Sequence, residues 1–218
     1  MDFGFLNKYL NFFIEGAKYT LIIAILTVLL GTILGLILSL MKISKNKVLN
    51  GIASVYIEFV RGTPVLVQLY IVYYGMPSLG IEIPDLLAGV ITLSLNSGAY
   101  IAEIIRAGIN AVDKGQTEAA RSLGMSSFLT MRYIIIPQAF KNILPALGNE
   151  FITIIKESSI VSIIGIGELM YKSDTVKGLT GQPFEPLIVA AIMYFIMTFT
   201  LSKVLGLMER RLKTSDIY

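Results

Sequence analysis

Seven ionisable residues fall inside long apolar stretches of this sequence: Glu58, Arg61, Glu103, Arg106, Glu150, Lys156 and Glu157. On insertion scales a charge at a bilayer centre costs roughly 2.5–3.5 kcal/mol, so such residues face a cavity, a partner or each other. Glu58 and Arg61 are three apart, as are Glu103 and Arg106, so each pair can meet on one helix face. Two uses fit each pair: mutual neutralisation, or a grip on a charged ligand. Covalent chemistry is not among the uses. The chain has no His and no Cys, which excludes Ser-His and Cys-His nucleophiles and metal centres built on those residues.

Glu103 has the richest surroundings. At about 100° per residue, Asn96, Tyr100, Glu103, Ala107 and Asn110 share one side of a helix. Gly98 lets a ligand approach the backbone closely. Glu103 sits mid-stripe, placed to hold an ammonium or guanidinium. Gln68 falls on roughly the same face as Arg61, with a kink expected at Pro64. Glu150, Thr153 and Glu157 share another face, beside Lys156. The hydroxyls of Ser158, Ser159 and Ser162 suit either a ligand carboxylate or a neighbouring helix. The ligand set expected from these patterns is Glu103, Asn96, Gly98, Tyr100, Glu58, Gln68 and Ser159.

The elements that carry these residues belong in lipid. Of 218 residues, 55 % are hydrophobic and 15 % charged, against about 25 % charged in an ordinary soluble domain. A net charge of +3 is too small to argue for nucleic acid. A span needs about 20 largely apolar residues. Five runs qualify, at about 19–41, 51–75, 86–110, 142–166 and 186–208. The first is too long for a signal-peptide core and lacks its flanking signals. Residues 1–15 read as a short interfacial helix, with Phe3, Leu6, Leu10 and Phe13 near one face. The expected architecture is a single all-helical transmembrane domain over 1–218.

Loop charge sets the orientation. Ten basic residues fall in one set of segments: Lys42, Lys45, Lys47, Lys114, Arg121, Arg132, Lys141, Arg210, Arg211 and Lys213. Four fall in the other: Lys8, Lys18, Lys172 and Lys177. The N-terminus is therefore expected outside and the C-terminus in the cytoplasm.

Residues 113–137 form a long cytoplasmic connection, and so long a stretch needs structure of its own. Thr117 is a candidate N-cap for a short helix over Glu118–Leu123, with Gly124 as its left-handed stop. Ser126 or Ser127 can cap a second helix running towards Pro137. Ala119, Ala120 and Leu123 share a face of the first, flanked by Glu118 and Arg121. So short a helix needs packing to be stable, and either an ordinary capped turn or a knob docked in another protein fits.

The string EAARSLGMSSFLTMRYIIIP resembles the EAA signature of permease subunits of bacterial ABC importers. That signature runs Glu-Ala-Ala, three residues, Gly, nine residues, Ile, one residue, Leu-Pro. Here it reads Glu118-Ala119-Ala120, Gly124, Ile134, Ile136 and Pro137, with Ile136 for Leu as the departure. Arg61-Gly62-Thr63-Pro64 with Gln68 looks like the polar amino-acid permeases, the histidine, glutamine and arginine group. So do Ser97 to Glu103 with Arg106-Ala107-Gly108, and Lys156-Glu157-Ser158-Ser159 with Ser162.

The resemblance implies a multi-pass permease of a bacterial cell membrane, with no enzymatic activity and no cofactor of its own. It implies that Glu118, Ala119, Ala120, Arg121, Leu123 and Gly124 couple the chain to two cytosolic ATP-binding subunits. It further implies a second permease chain, either a second copy in a homodimer or a related permease, and an extracytoplasmic binding protein that delivers a polar amino acid, which the placing of Glu103 suggests is basic. The competing expectation from the membrane carboxylates is an ion-coupled secondary transporter.

Overall fold

The computed structural model describes residues 1–214, and every regular element among them is helical. Asp216, at the expected cytoplasmic end, lies outside the described residues.

Helix α1 runs unbroken over Leu6–Ile43 for 38 residues, about 57 Å at 1.5 Å per residue, against a hydrocarbon core of about 30 Å. The separate helix expected over residues 1–15 is thus continuous with the first span. The reason lies in packing. Phe13 is fully buried against Leu169, Val176, Val189 and Ala190, with Phe5, Leu6 and Tyr9 around it. Of the apolar face expected to lie on lipid, the chain itself covers Phe13 and partly covers Leu6, while Phe3 and Leu10 stay exposed.

The second expected span is broken. Helix α2 covers Lys47–Arg61 and α3 covers Val65–Ser78, and their axes meet at 105°. Asn46 caps α2, its side chain accepting from the Val48 and Leu49 N–H groups. Pro64 forces the turn, since it offers no N–H to continue α2 and itself holds an extended ψ of 134°.

Helix α4, Asp85–Asn110, is the central element and the most buried. It lies alongside α1 in parallel register, Gly31 facing Ser97 and Gly35 facing Ile101. A Cβ on Gly35 would sit 2.6 Å from the Ile101 side chain, so the two helices approach more closely than larger residues permit.

Helix α5 spans Lys114–Ser122 and α6 spans Ser127–Thr130. One wide π-type turn over Met131–Ile135 then leads into α7, Ile136–Glu157, without interruption. The turn sits where Pro137 withholds a backbone donor, and Ile136 N–H reaches back to Met131 O instead. The second helix of the connection therefore continues through Pro137. Beyond α7 a 3₁₀ segment covers Ser158–Ile164 and ends at Gly165, φ +86°. Helix α8 is Leu169–Thr180 and α9 is Glu185–Thr214.

Helices α1, α4 and α9 are each long and apolar enough to cross a membrane, and the α2–α3 pair passes together as a bent span. The α7 stretch, expected as the fourth of five spans, carries Lys141, Glu150, Lys156 and Glu157 and does not pass on composition.

Candidate functional site

Two regions collect the residues singled out by the sequence. The first is the α5 projection. Its N-cap is Asp113, whose Oδ1 accepts from Gly115 N–H at 2.8 Å, and not Thr117. The helix therefore begins four residues earlier than Glu118. Its end is as expected. Gly124 takes φ +83°, Gly124 N–H bonds Arg121 O at 3.0 Å, and Met125 N–H bonds Ala120 O at 3.1 Å. This is a Schellman stop, and the left-handed residue favours glycine. Arg121 adds a bond from Nη1 to Met125 O at 2.7 Å.

The face expected to carry Ala119, Ala120 and Leu123 divides. Ala120 is buried at 5 % exposure, whereas Leu123 is 85 % exposed and Phe128 69 %. Ala119, Glu118 and Gly124 are exposed as well. Gln138 joins the projection to α7, donating to Gln116 Oε1 at 3.2 Å and to Ile134 O at 3.0 Å. An apolar tip on a braced, capped helix is thus offered to solvent.

The second region is the charged interior, where the structure redistributes the expected ligand set. Glu103 does not face an empty cavity. Its Oε1 accepts from Lys42 Nζ of α1 at 2.7 Å, and its Oε2 from Arg106 Nη2 at 2.7 Å and Nε at 3.0 Å. Gly98 faces α1, and a Cβ there would lie 2.8 Å from Leu34 Cδ2. The space expected for a ligand holds Leu34. Asn96 is buried and donates to Gln68 Oε1 at 3.1 Å. Gln68 in turn donates to Val60 O, Thr63 O and Thr63 Oγ1 at 2.7, 3.1 and 2.9 Å. It closes the α2–α3 break by satisfying carbonyls that the break strands. Ser158, Ser159 and Ser162 donate to Ile155 O, Lys156 O and Ser159 O within their own stretch of chain.

Glu58, Arg61 and Tyr100 remain open. Glu58 is exposed and has no polar partner among the described residues, so it does not pair with Arg61. Arg61 lies over the Tyr100 ring at 5.2 Å. On α7, outside the expected ligand set, Glu150 Oε1 accepts from Ser97 Oγ at 3.0 Å. Among the described residues no cation pairs with it. Glu58 and Glu150 are thus carboxylates without a counter-ion among the described residues.

One buried acid escaped the sequence reading. Glu168 is fully buried and caps α8, accepting from Met170 N–H at 2.9 Å and Tyr171 N–H at 2.8 Å. Burial pushes its pKa above the ordinary carboxylate value, against the hydrogen bonds that lower it. It lies between the last two apolar runs, where an acid does not stand out as a charge in lipid. The signal available was an acid ahead of the α8 stretch, just past Gly165 and Gly167.

Comparison with known proteins places this architecture. Residues 28–214 match the family described as binding-protein-dependent transport system inner membrane component. The chain is 45 % identical over 217 residues to the arginine transport system permease protein ArtQ of Bacillus subtilis (strain 168), covering 99 % of each chain. It is 46 % identical over 205 residues to the putative glutamine transport system permease protein GlnP of Rickettsia bellii, covering 94 % of each. A solved structure described as an amino acid ABC transporter with histidines superposes with TM-score 0.94 at 54 % identity, over 97 % of this chain and 99 % of that one. The inward-facing methionine transporter MetNI shares the fold at TM-score 0.80 and 18 % identity, over 97 % and 99 %. These matches give no support to an ion-coupled carrier. They make the chain a non-catalytic inner-membrane component that leaves ATP hydrolysis to other subunits. The chain belongs to the binding-protein-dependent inner-membrane components, the permease subunits of ABC transporters.

Proposed function

We propose that this chain is the permease of an ATP-driven importer that carries polar amino acids, basic ones foremost, into the cytoplasm. The observation that carries the reading is the α5–α6 projection and its apolar tip, with Leu123 exposed at the C-cap of the braced helix α5 and Phe128 exposed on α6. Such a tip is unfavourable in water and is explained by a groove in a partner. Two cytosolic ATP-binding subunits supply that groove, one per permease chain. Two copies of this chain enclose the path, and an external binding protein delivers the solute. The chain crosses the membrane five times, N-terminus outside, with the α2–α3 pair and α7 as two of the crossings.

Mechanically, ATP binding draws the two hydrolytic subunits together and carries α5 with them. Gln138 and the unbroken helical stretch from α6 through α7 pass that displacement into the membrane. Nucleotide states can drive the change because they differ in their contacts with α5. Glu58 and Glu150 favour a cationic solute, as carboxylates without an internal counter-ion. Glu103, Gly98, Asn96, Gln68 and Ser159 serve the frame around the path. The arginine-named and histidine-bearing relatives support basic solutes, and the glutamine-named ones support a broader polar range.

The test is uptake by proteoliposomes holding the complete complex, with labelled arginine, histidine and glutamine in parallel. ATP-dependent uptake with arginine preferred supports the reading. Uptake driven by an ion gradient without ATP contradicts it. The ratio of subunits in the purified complex separates two copies of this chain from a pair with a related permease.

A further inference from the structure

Glu168 joins three elements at one buried carboxylate. Its Oε2 accepts from the Tyr194 hydroxyl of α9 at 2.7 Å and lies 3.4 Å from the Thr20 hydroxyl of α1, whose one proton it shares with Gly16 O at 3.1 Å. The same side chain caps α8. Thr20 Oγ1 accepts from Leu169 N–H at 3.2 Å, closing the ring of bonds. Gly16 makes the approach possible, since a Cβ there would lie 2.9 Å from Leu169 Cα. No cation pairs with Glu168 among the described residues. The nearby Lys172 turns away, its Nζ 3.8 Å from the Phe12 ring centroid and 3.8 Å from Glu15.

Capping alone does not account for this arrangement. An exposed Ser or Asp caps a helix without the desolvation that a buried carboxylate costs. The segment that precedes Glu168 is packed into the interior. Val161, Ile164 and Ile166 pack with Leu69 of α3, Val90 and Leu93 of α4 and Ile23 of α1. The 3₁₀ geometry of Ser158–Ile164 makes weaker internal bonds than an α-helix. Its placement therefore depends on how its ends are held.

We infer that Glu168 is a positioning residue for solute passage: by tying α8 to α1 and α9, it fixes the far end of the Ser158–Ile164 segment beside the α2–α3 break, so that displacement of α7 moves this segment and is not lost in the connection to α9. The inference rests on the import reading above. Uptake should therefore fail without this anchor while nucleotide hydrolysis continues.

The experiment uses the complete complex in proteoliposomes. The chain has no Cys, so Ile163→Cys, at a position 53 % exposed, introduces a single thiol on the segment. Glu168→Gln keeps the volume but turns an NH₂ towards existing donors in either amide orientation. Arginine uptake is expected to fall about tenfold with hydrolysis held within about twofold. Maleimide labelling of the Ile163→Cys thiol should then stop responding to ATP. Tyr194→Phe alone should have a smaller effect, and none on top of Glu168→Gln. If Glu168→Gln prevents assembly, Tyr194→Phe and Thr20→Val should show the same split between uptake and hydrolysis. Uptake at the parental rate in Glu168→Gln overturns the inference. So does equal loss of uptake and hydrolysis with a lowered melting temperature, which marks a role in folding alone. Absence of ATP-driven uptake in the parent complex strikes the import reading instead.

Discussion

Lys42, at the end of α1, holds Glu103, in the last third of α4, across a 2.7 Å ion pair, and both side chains are mostly buried at 19 % and 17 % exposure. Arg106 takes the other carboxylate oxygen at 2.7 Å. One acid thus pairs with two cations, leaving one positive charge in excess, and locks α1 to α4 near one end of their contact. Removing Glu103 leaves Lys42 and Arg106 without their counter-ion, at a cost on the order of 3 kcal/mol.

Glu103→Gln is therefore expected to lower the melting temperature of the complex and to reduce uptake of arginine and glutamine by the same factor. Lys42→Met leaves Glu103 paired with Arg106 and should have a smaller effect, and the double substitution should cost less than the sum. A loss confined to the cationic solute would show that Glu103 meets the ligand.

The carboxylates without a counter-ion carry the opposite expectation. Glu150→Gln and Glu58→Gln should each reduce arginine uptake about tenfold more than glutamine uptake, as loss of a charge-assisted contact of about 1.4 kcal/mol would do. Parallel uptake series with the two solutes decide it. Equal effects would make both residues part of the frame.

Gly98→Ala tests close packing. The added methyl meets Leu34 at 2.8 Å, and overpacking of this kind costs about 1–3 kcal/mol. Thermal unfolding should show the loss, and Leu34→Ala in the same chain should recover part of it. Unchanged stability in Gly98→Ala would mean that α1 yields readily at this contact.

The outline of the fold was legible because each signal was local. Apolar runs marked α1, α4 and α9, and the Gly124 stop followed from glycine's access to positive φ. What the sequence could not show was which partner each polar side chain would find. Glu103 and Arg106 met as their spacing suggested, but Lys42 lies 61 positions away in the chain. Gly98 was expected to admit a ligand to the backbone, and the neighbour that fills that space, Leu34, lies 64 positions away in the chain. Gln68 looked like a ligand residue because its role in closing the α2–α3 break depends on a 105° bend that Pro64 announces only as a kink. Ala119 and Ala120 lie about 100° apart around the helix, so Ala120 turns inward while Ala119 stays exposed.

Gly124→Val asks whether the stop matters to transport. Gly124 has open space around it but φ +83°, and a β-branched residue there costs about 1–2 kcal/mol in the left-handed region. The expected outcome is a stable permease whose ATP hydrolysis is no longer matched by uptake. Full uptake would show that α5 tolerates a different ending.

The most direct measurement is the pair of substitutions Leu123→Asp and Phe128→Asp on the exposed tip of the α5–α6 projection, read by co-purification of the ATP-binding subunits and by ATP-driven arginine uptake. Both positions are exposed, so the permease should remain folded. The account predicts that the ATP-binding subunits are lost and uptake falls to background. Retention of those subunits with uptake at the parental rate would contradict it.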